Sequence, residues 1–283
     1  MKEIKVKTPA KINLTLEILD KRKDGFHNIQ SIMHAISLYD FLTVKVKDSK
    51  ETLIEISGNS NEIPYNQNNL VYKAASLFLE NTAINNKKIS INIEKNIPIA
   101  AGLAGGSTDA AGTFLALNNL FNNPLNTKEL HDLCSKLGSD LNFCLNGGCA
   151  LCTSRGEIIE NLPATSLDIS LIKPKNFGIS AKEAYTKFSL LKDKSNPDAT
   201  TKLKKLLFEG KFDKNLLYNS LEKAVINDYK ELQYIKNKVP DSIMSGSGPT
   251  FFALKNEIKE NFDENEFIII ENLKTIPSGI QII

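Results

Sequence analysis

The chain lacks an excess of either charge, an apolar run of membrane length, an internal repeat, and enough cysteine to staple a fold. Its 35 basic and 33 acidic residues leave a formal net charge of +2. No global field therefore recommends a nucleic-acid or membrane partner. Basic runs such as Lys202, Lys204 and Lys205 read as the solvated face of a helix. No uninterrupted apolar stretch is long enough to span a bilayer. The opening MKEIKVKTPAKINL is charged and strand-like, without a signal-peptide core. The expected compartment is the cytoplasm. The four cysteines, Cys134, Cys144, Cys149 and Cys152, suit a reducing compartment. Cys149 and Cys152 form a C-x-x-C, but GGCALCTS reads as a strand, where residues three apart point to opposite faces. With no second ligand pair at a suitable spacing, they are expected to be buried thiols rather than a metal site.

With 283 residues, 41% of them hydrophobic and 24% charged, the chain has the balance of a soluble globular protein and room for one large or two ordinary domains. In KINLTLEI the apolar Ile12, Leu14, Leu16 and Ile18 recur at period two, which puts Lys11, Asn13, Thr15 and Glu17 on the opposite face. FLTVKVKD, TLIEISG and KKISINIEK read as further strands. NNLVYKAASLFLEN reads as a helix starting near Asn69, with Leu70, Ala74 and Leu77 turned inward. STDAAGTFLALNNLF is a helix with Ser107 or Thr108 available as its cap, and TKELHDLCSKLG is another, closed by Gly138. Beyond the strand at 149–154, LDISLIKP opens a new unit with helices near 181–190, 200–209 and 229–238. DSIMSGSGPTFFAL reads as strand, tight turn, strand, and NEFIIIENL as a late strand. The organisation expected is two α+β units, 1–160 and 161–283.

Between a strand and a helix lies IPIAAGLAGGSTDAAG, a loop rich in glycine and costly to order. A glycine loop running into a helix start is a ready anion site, because backbone can approach closely and the helix offers free N–H groups. It is not a Walker A loop, since no lysine follows Gly106, and GLAGGS does not supply a dinucleotide fingerprint. Phosphate binding and a packing-driven glycine cluster both remain open on the residues alone.

The loop resembles the phosphate-binding motif of the GHMP kinases, the family of galactokinase, homoserine kinase and mevalonate kinase. TPAKINLTL resembles that family's amino-terminal motif and MSGSGPTFFAL its glycine-rich third motif, in the right order. PAKINLTLEILDKRKDGFHNIQSIMHAISLYD, LGSDLNFCLNGGCAL and SRGE resemble the branch that acts on a cytidine diphosphate-linked methylerythritol. The resemblance runs from Thr8 to about Leu254. It implies a two-domain α+β fold, with an amino-terminal unit like ribosomal protein S5 domain 2 and a ferredoxin-like second unit. It also implies transfer of the ATP γ-phosphoryl group to an alcohol, with Mg2+ accompanying ATP and a small molecule as acceptor.

Carried over residue by residue, the resemblance assigns ATP phosphates to Pro98, Ile99, Ala100, Ala101, Gly102, Leu103, Ala104, Gly105, Gly106, Ser107 and Thr108, with magnesium near Ser107. Asn69, Leu70 and Lys95 fall near the nucleoside. Lys11 matches the catalytic lysine, and Asp140 the aspartate that takes the acceptor's proton or aligns its hydroxyl. Without the family, Asp140 reads as a helix cap and Lys11 as a solvated strand lysine. Asn13 shares the face of Lys11. Phe26 and His27 would stack on and read a cytosine, with Tyr185 as a second aromatic wall. The family's usual Gly-Tyr-His is Gly-Phe-His here, so the tyrosine hydroxyl is absent. The proline that commonly follows Asp140 is also missing from Asp140-Leu141-Asn142, a change expected to loosen that loop.

Overall fold

The structure, a computed structural model, describes residues 1–255 and 257–283. The first half runs β1 (Lys2–Lys21), β2 (His27–Asp48), β3 (Leu53–Gly58), α1 (Leu70–Thr82), β4 (Lys87–Glu94), α2 (Gly105–Leu120), α3 (Thr127–Leu137), α4 (Leu141–Asn146), β5 (Cys149–Ser154) and β6 (Ile158–Leu162). The second half runs β7 (Asp168–Pro174), α5 (Ala181–Leu190), α6 (Ala199–Phe208), β8 (Tyr218–Asn219), α7 (Ser220–Val225), α8 (Lys230–Lys238), β9 (Ile243–Met244), β10 (Phe251–Ala253), β11 (Phe267–Lys274) and β12 (Gln281–Ile282). Two sheets result. The first has the order β12-β1-β2-β4-β3, with β5 and β6 extending from β2 and β8 pairing with β1; the second has the order β11-β7-β10-β9. The fold is thus a two-domain α+β architecture. We propose that the division runs through 163–167, between β6 and β7, a few residues past 160, although β8 and β12 return to the first sheet.

The principal core lies where the first sheet meets its helices. Val6, Leu42, Val44 and Ile91 from the strands pack on Val71, Ala74 and Phe78 of α1 and on Ala110, Phe114 and Leu117 of α2. The buried face of α1 is Val71, Ala74, Ala75, Phe78 and Leu79, whereas Leu70 and Leu77 are only half-buried. Leu70 instead turns to a cleft.

β1 departs most from expectation. Ile12 and Leu14 join Leu171, Leu203 and Phe252 in a cluster shared by both sheets. The face bearing Lys11, Asn13, Thr15 and Glu17 is buried too, all four being at most 3% exposed. At Thr15 and Glu17 it is covered because the start of α6 docks on it, whereas Lys11 and Asn13 line a cleft. Glu17 Oε1 accepts from Ala199 N (2.9 Å) and Oε2 from Thr200 N (3.2 Å), while Thr200 Oγ1 donates to Thr15 Oγ1 (2.9 Å). The residue preceding α6, Asp198, makes no side-chain cap. Glu17 therefore satisfies orphan donors of a helix remote in sequence and complements its dipole. Register shifts against β2 fall between Pro9 and Lys11 and between Asn13 and Thr15. Such bulges re-aim side chains, and these two bracket Lys11 and Asn13.

His34 is a buried histidine of β2, 0% exposed. Its Nδ1 donates to Ala35 O (3.0 Å) and its Nε2 accepts from Thr165 N (3.3 Å), so the neutral ring is fully used. Burial lowers its pKa from 6.5 to about 4. Between those values the unfolded chain binds more protons than the folded one. This contribution to stability is therefore complete above pH 6.5 and lost as pH falls towards 4, about 3 kcal/mol in all. In urea denaturation, the stability gap between the native protein and His34→Gln is expected to shrink by that amount across this window. A gap independent of pH would contradict it.

Candidate active site

One cleft of about 870 Å³ runs between the two sheets, a size suited to a small ligand. At one end lies the glycine loop. Ala100, Gly102 and Ala104 have φ of 49°, 70° and 59°, so the chain reverses sharply before entering α2. Sequence placed a hydroxyl cap at Ser107 or Thr108, and the structure corrects this. The helix starts at Gly105, its N-cap is Ala104 without any side-chain cap, and its first turn holds no acid. Ser107 and Thr108 fall inside that first turn, past the position from which a cap can act. Ser107 lines the cleft, whereas Thr108 is buried and its Oγ1 has no partner. A 16-residue helix thus opens with unclaimed N–H groups and positive dipole facing the cleft.

Two contacts fix this loop. Lys11 N donates to Leu103 O (3.1 Å), which ties it to β1. From the other unit, Ser245 Oγ donates to Gly102 O (3.0 Å). A Cβ on Gly102 would lie 2.1 Å from Ser245 O, and one on Gly105 would lie 2.6 Å from Lys95 Nζ. The third glycine segment therefore packs on the loop's own backbone.

Lys95 lies beneath the start of α2. Its Nζ pairs with Asp40 and, at 3.4 Å, with Asp109. Asp40 Oδ1 also accepts from Ile97 N (2.8 Å), and Thr8 Oγ1 donates to Asp109 Oδ1 (3.0 Å). Burial pushes Asp109 up to about 7, against the pull of the Lys95 charge, with Asp40 adding to the rise. Lys95 lines the cleft, but Asn69 does not. Asn69 caps α1, accepting from Val71 N (2.9 Å) and donating to Pro64 O (2.7 Å).

Midway along the cleft Lys11 Nζ stands 3.5 Å from Asp140 Oδ2, with side-chain exposures of 3% and 33%. Lys11 Nζ donates to Asn13 Oδ1 (2.7 Å), and Asn13 Nδ2 donates to Ser31 Oγ (2.8 Å). The ammonium is thus held from below, and the carboxylate is open to a ligand. Asp140 precedes α4 but makes no cap hydrogen bond. The loosening expected from the missing proline is countered by its replacement. Asn142, 4% exposed, donates through Nδ2 to Ser135 Oγ (2.9 Å) and Glu157 O (2.8 Å).

At the far end are Phe26, His27 and Tyr185. Tyr185, on α5, stacks on His27 with centroids 5.3 Å apart and planes 22° from parallel. Burial lowers the His27 pKa, helped by Lys21 and Lys194, and so favours the neutral ring with one donor and one acceptor. Burial, together with the Asp140 charge, raises that of Tyr185. Phe26 sits at the β1–β2 turn, 51% exposed, with the Arg155 guanidinium 5.1 Å from its ring centroid. Arg155, within the quoted SRGE, and Ser139 gave no individual signal in the sequence; both line the cleft, as does Gly246 of the third glycine motif. With Lys95 paired to Asp40 and Asp109, the cleft is lined by Lys11, Lys21, Arg155 and Lys182 against Asp140, its one lining carboxylate among the described residues, a balance that favours an anionic guest.

An uncapped helix start, a lysine–aspartate pair and an aromatic end in one basic cleft define a small-molecule phosphotransferase, and comparison agrees. The family model described as GHMP kinases N terminal domain matches residues 69–150. In Clostridium acetobutylicum a 4-diphosphocytidyl-2-C-methyl-D-erythritol kinase is 39% identical over 262 residues, 90% of this chain and 92% of that protein. A protein of the same name from Thermoanaerobacter pseudethanolicus is 38% identical, covering 92% and 90%. A solved 4-(cytidine 5'-diphospho)-2C-methyl-D-erythritol kinase superposes with a TM-score of 0.74 at 26% identity, covering 96% of this chain and 99% of that one. The homoserine kinase of Cytophaga hutchinsonii has a TM-score of 0.77 at 21% identity, covering 100% and 98%, and shares the fold. The chain belongs to the 4-diphosphocytidyl-2-C-methyl-D-erythritol kinase family within the GHMP kinases. It is an ATP-dependent phosphotransferase.

Proposed function

We propose that the protein transfers the γ-phosphoryl group of ATP to the C2 hydroxyl of 4-diphosphocytidyl-2-C-methyl-D-erythritol, in non-mevalonate isoprenoid precursor synthesis. The observation that carries this is the placing of Lys11 and Asp140, 3.5 Å apart, between the glycine loop and the aromatic end of one cleft. In the proposed arrangement the triphosphate lies along Pro98–Ser107, against the free N–H groups of α2. The cytosine lies among Phe26, His27 and Tyr185, and the methylerythritol hydroxyl reaches Asp140. Asp140 accepts the hydroxyl proton or holds the oxygen in line. Lys11 stabilises the oxygen as charge develops, from a site where little water competes. Phosphoryl transfer asks mainly for positioning and charge stabilisation, which rigidly held groups supply.

Among the described residues no cluster of three or more His, Cys, Asp or Glu side chains is placed to hold a metal. Mg2+ in its usual role keeps several waters and binds largely through phosphate oxygens, so the sparse donor set fits an ion carried in on ATP, with the Ser107 hydroxyl as the protein group lining the cleft beside it. When bound, it neutralises charge on the β- and γ-phosphates. Among the described residues no helix is long and apolar enough to cross a membrane, and we place the enzyme in the cytoplasm.

ATP consumption measured with the cytidylated alcohol, mevalonate and homoserine as separate acceptors tests the assignment. Turnover is expected with the first alone. Turnover of mevalonate or homoserine instead would replace this reading with that of another kinase on the same fold.

A further inference from the structure

Asn219 is absorbed by none of the roles above. It lies on β8, beside Leu16 of β1, and is 4% exposed. All of its side-chain capacity is engaged. Nδ2 donates to Met244 O (2.6 Å) and Gly246 O (2.8 Å), and Oδ1 accepts from Leu221 N (2.8 Å) and Glu222 N (3.4 Å) at the start of α7. One amide therefore joins the strand carrying Lys11 to the third glycine segment. Glu222 holds the same segment from a second point, its Oε2 accepting from Met244 N (2.8 Å).

Gly246 is where that segment enters the cleft. Its φ is 55°, and a Cβ there would lie 3.0 Å from Gly102 O and 3.1 Å from Lys11 Nζ. Gly246 thus leaves no room for a side chain between the phosphate loop and the lysine ammonium. Whatever fixes Gly246 fixes the space in which that ammonium can sit. Serine at position 219 would cap α7 equally well through its own oxygen, so the cap does not demand asparagine. The two donations to carbonyls do, since an amide NH2 has two donors and neither serine nor aspartate can supply both.

We infer that Asn219 is a positioning residue for phosphoryl transfer, acting through Gly246 to set the Lys11 ammonium against the glycine loop. The inference rests on the proposed reaction. The consequence expected is on the chemical step, because the Lys11 ammonium lies 3.1 Å from a Cβ placed at Gly246.

Two variants test it, with native turnover of the cytidylated acceptor as the control; failure of that control would sink the reaction, not the role of Asn219. Asn219→Ser keeps the cap but cannot make both donations. It is expected to lower kcat by roughly 10- to 100-fold, the scale of a displacement of about 1 Å at a reacting group, while KM for ATP stays within about threefold. Asn219→Asp regains one O–H donor only when protonated. Its kcat relative to the native enzyme is therefore expected to rise as pH is lowered from 8 to 6. An unchanged kcat in the serine variant, a loss expressed wholly in KM for ATP, or an aspartate profile parallel to the native one would overturn the role. So would failure of both variants to fold, which would show that Asn219 serves the architecture alone.

Discussion

Asp140→Asn is expected to lower the single-turnover rate of phosphoryl transfer by about 10²- to 10⁴-fold, the usual worth of a positioned acid–base group. ATP affinity is expected to stay close to native. The side chain is 33% exposed, caps no helix, and meets the protein chiefly through its ion pair with Lys11, so its loss leaves the glycine loop untouched. Lys11 keeps its bond to Asn13 Oδ1 and hence its place. The amide is isosteric and can still accept from the acceptor hydroxyl, but cannot take its proton at neutral pH. A rate near native would remove Asp140 from proton transfer and leave alignment to Lys11 and the loop. A large loss of ATP affinity would instead place the triphosphate against Asp140. Equilibrium binding of ATP beside the single-turnover rate separates these outcomes.

The second large effect concerns a residue with no functional group. Gly102→Ala is expected to weaken ATP binding by about 10²-fold or more. The new methyl group would lie 2.1 Å from Ser245 O, at a backbone φ of 70° that disfavours a side chain even in open space. An alanine in the left-handed region costs about 1–2 kcal/mol, and overpacking adds about 1–3 kcal/mol. Taken together at about 3 kcal/mol, this is a factor of about 10² in affinity if the loop relieves it by moving. Gly106→Ala is the control, because its nearest neighbour would be Leu70 Cδ1 at 3.7 Å, so the site has room for the methyl group. Calorimetric titration of ATP into both variants, with their melting temperatures, checks the pair. Near-native affinity in Gly102→Ala would mean that the loop's contact with the third glycine segment does not shape the phosphate site.

These two residues were legible in the sequence for different reasons. Gly102 belongs to a local motif, strand to glycine loop to helix, whose purpose follows from backbone chemistry. Asp140 was legible only through resemblance, since an aspartate after Gly-Ser reads as a cap until the helix behind it is seen to leave its carboxylate unused. Period-two alternation located β1 and put Lys11, Asn13, Thr15 and Glu17 on its second face, without any sign that this face is buried as well. At Thr15 and Glu17 that face is buried because α6, nearly two hundred residues later, docks its start there, and no local pattern carries that information. For the same reason β2 was visible only as FLTVKVKD. Its first half, buried on both faces, has no alternation to read. Asn219 left no signal because its value lies in reaching two carbonyls of a segment 25 and 27 positions away. Arg155 stood in a quoted motif, yet its place over Phe26 depends on the turn that Asn142 ties down.

β1 is completed only by segments far along the sequence. β1 finds β2 across one edge, but its other edge is closed by Tyr218–Asn219 and Gln281–Ile282. The tail that delivers β12 is threaded closely, with Ile276 N bonded to Ala35 O (2.9 Å) and a Cβ on Gly147 only 2.0 Å from Gly279 Cα. During synthesis one side of this sheet therefore stays unpaired until β8 and β12 have emerged. That open edge is a template for pairing with other chains. Exposure to aggregation thus depends on how soon β8 and β12 follow β1 out of the ribosome, and shielding by a chaperone would matter most over that interval.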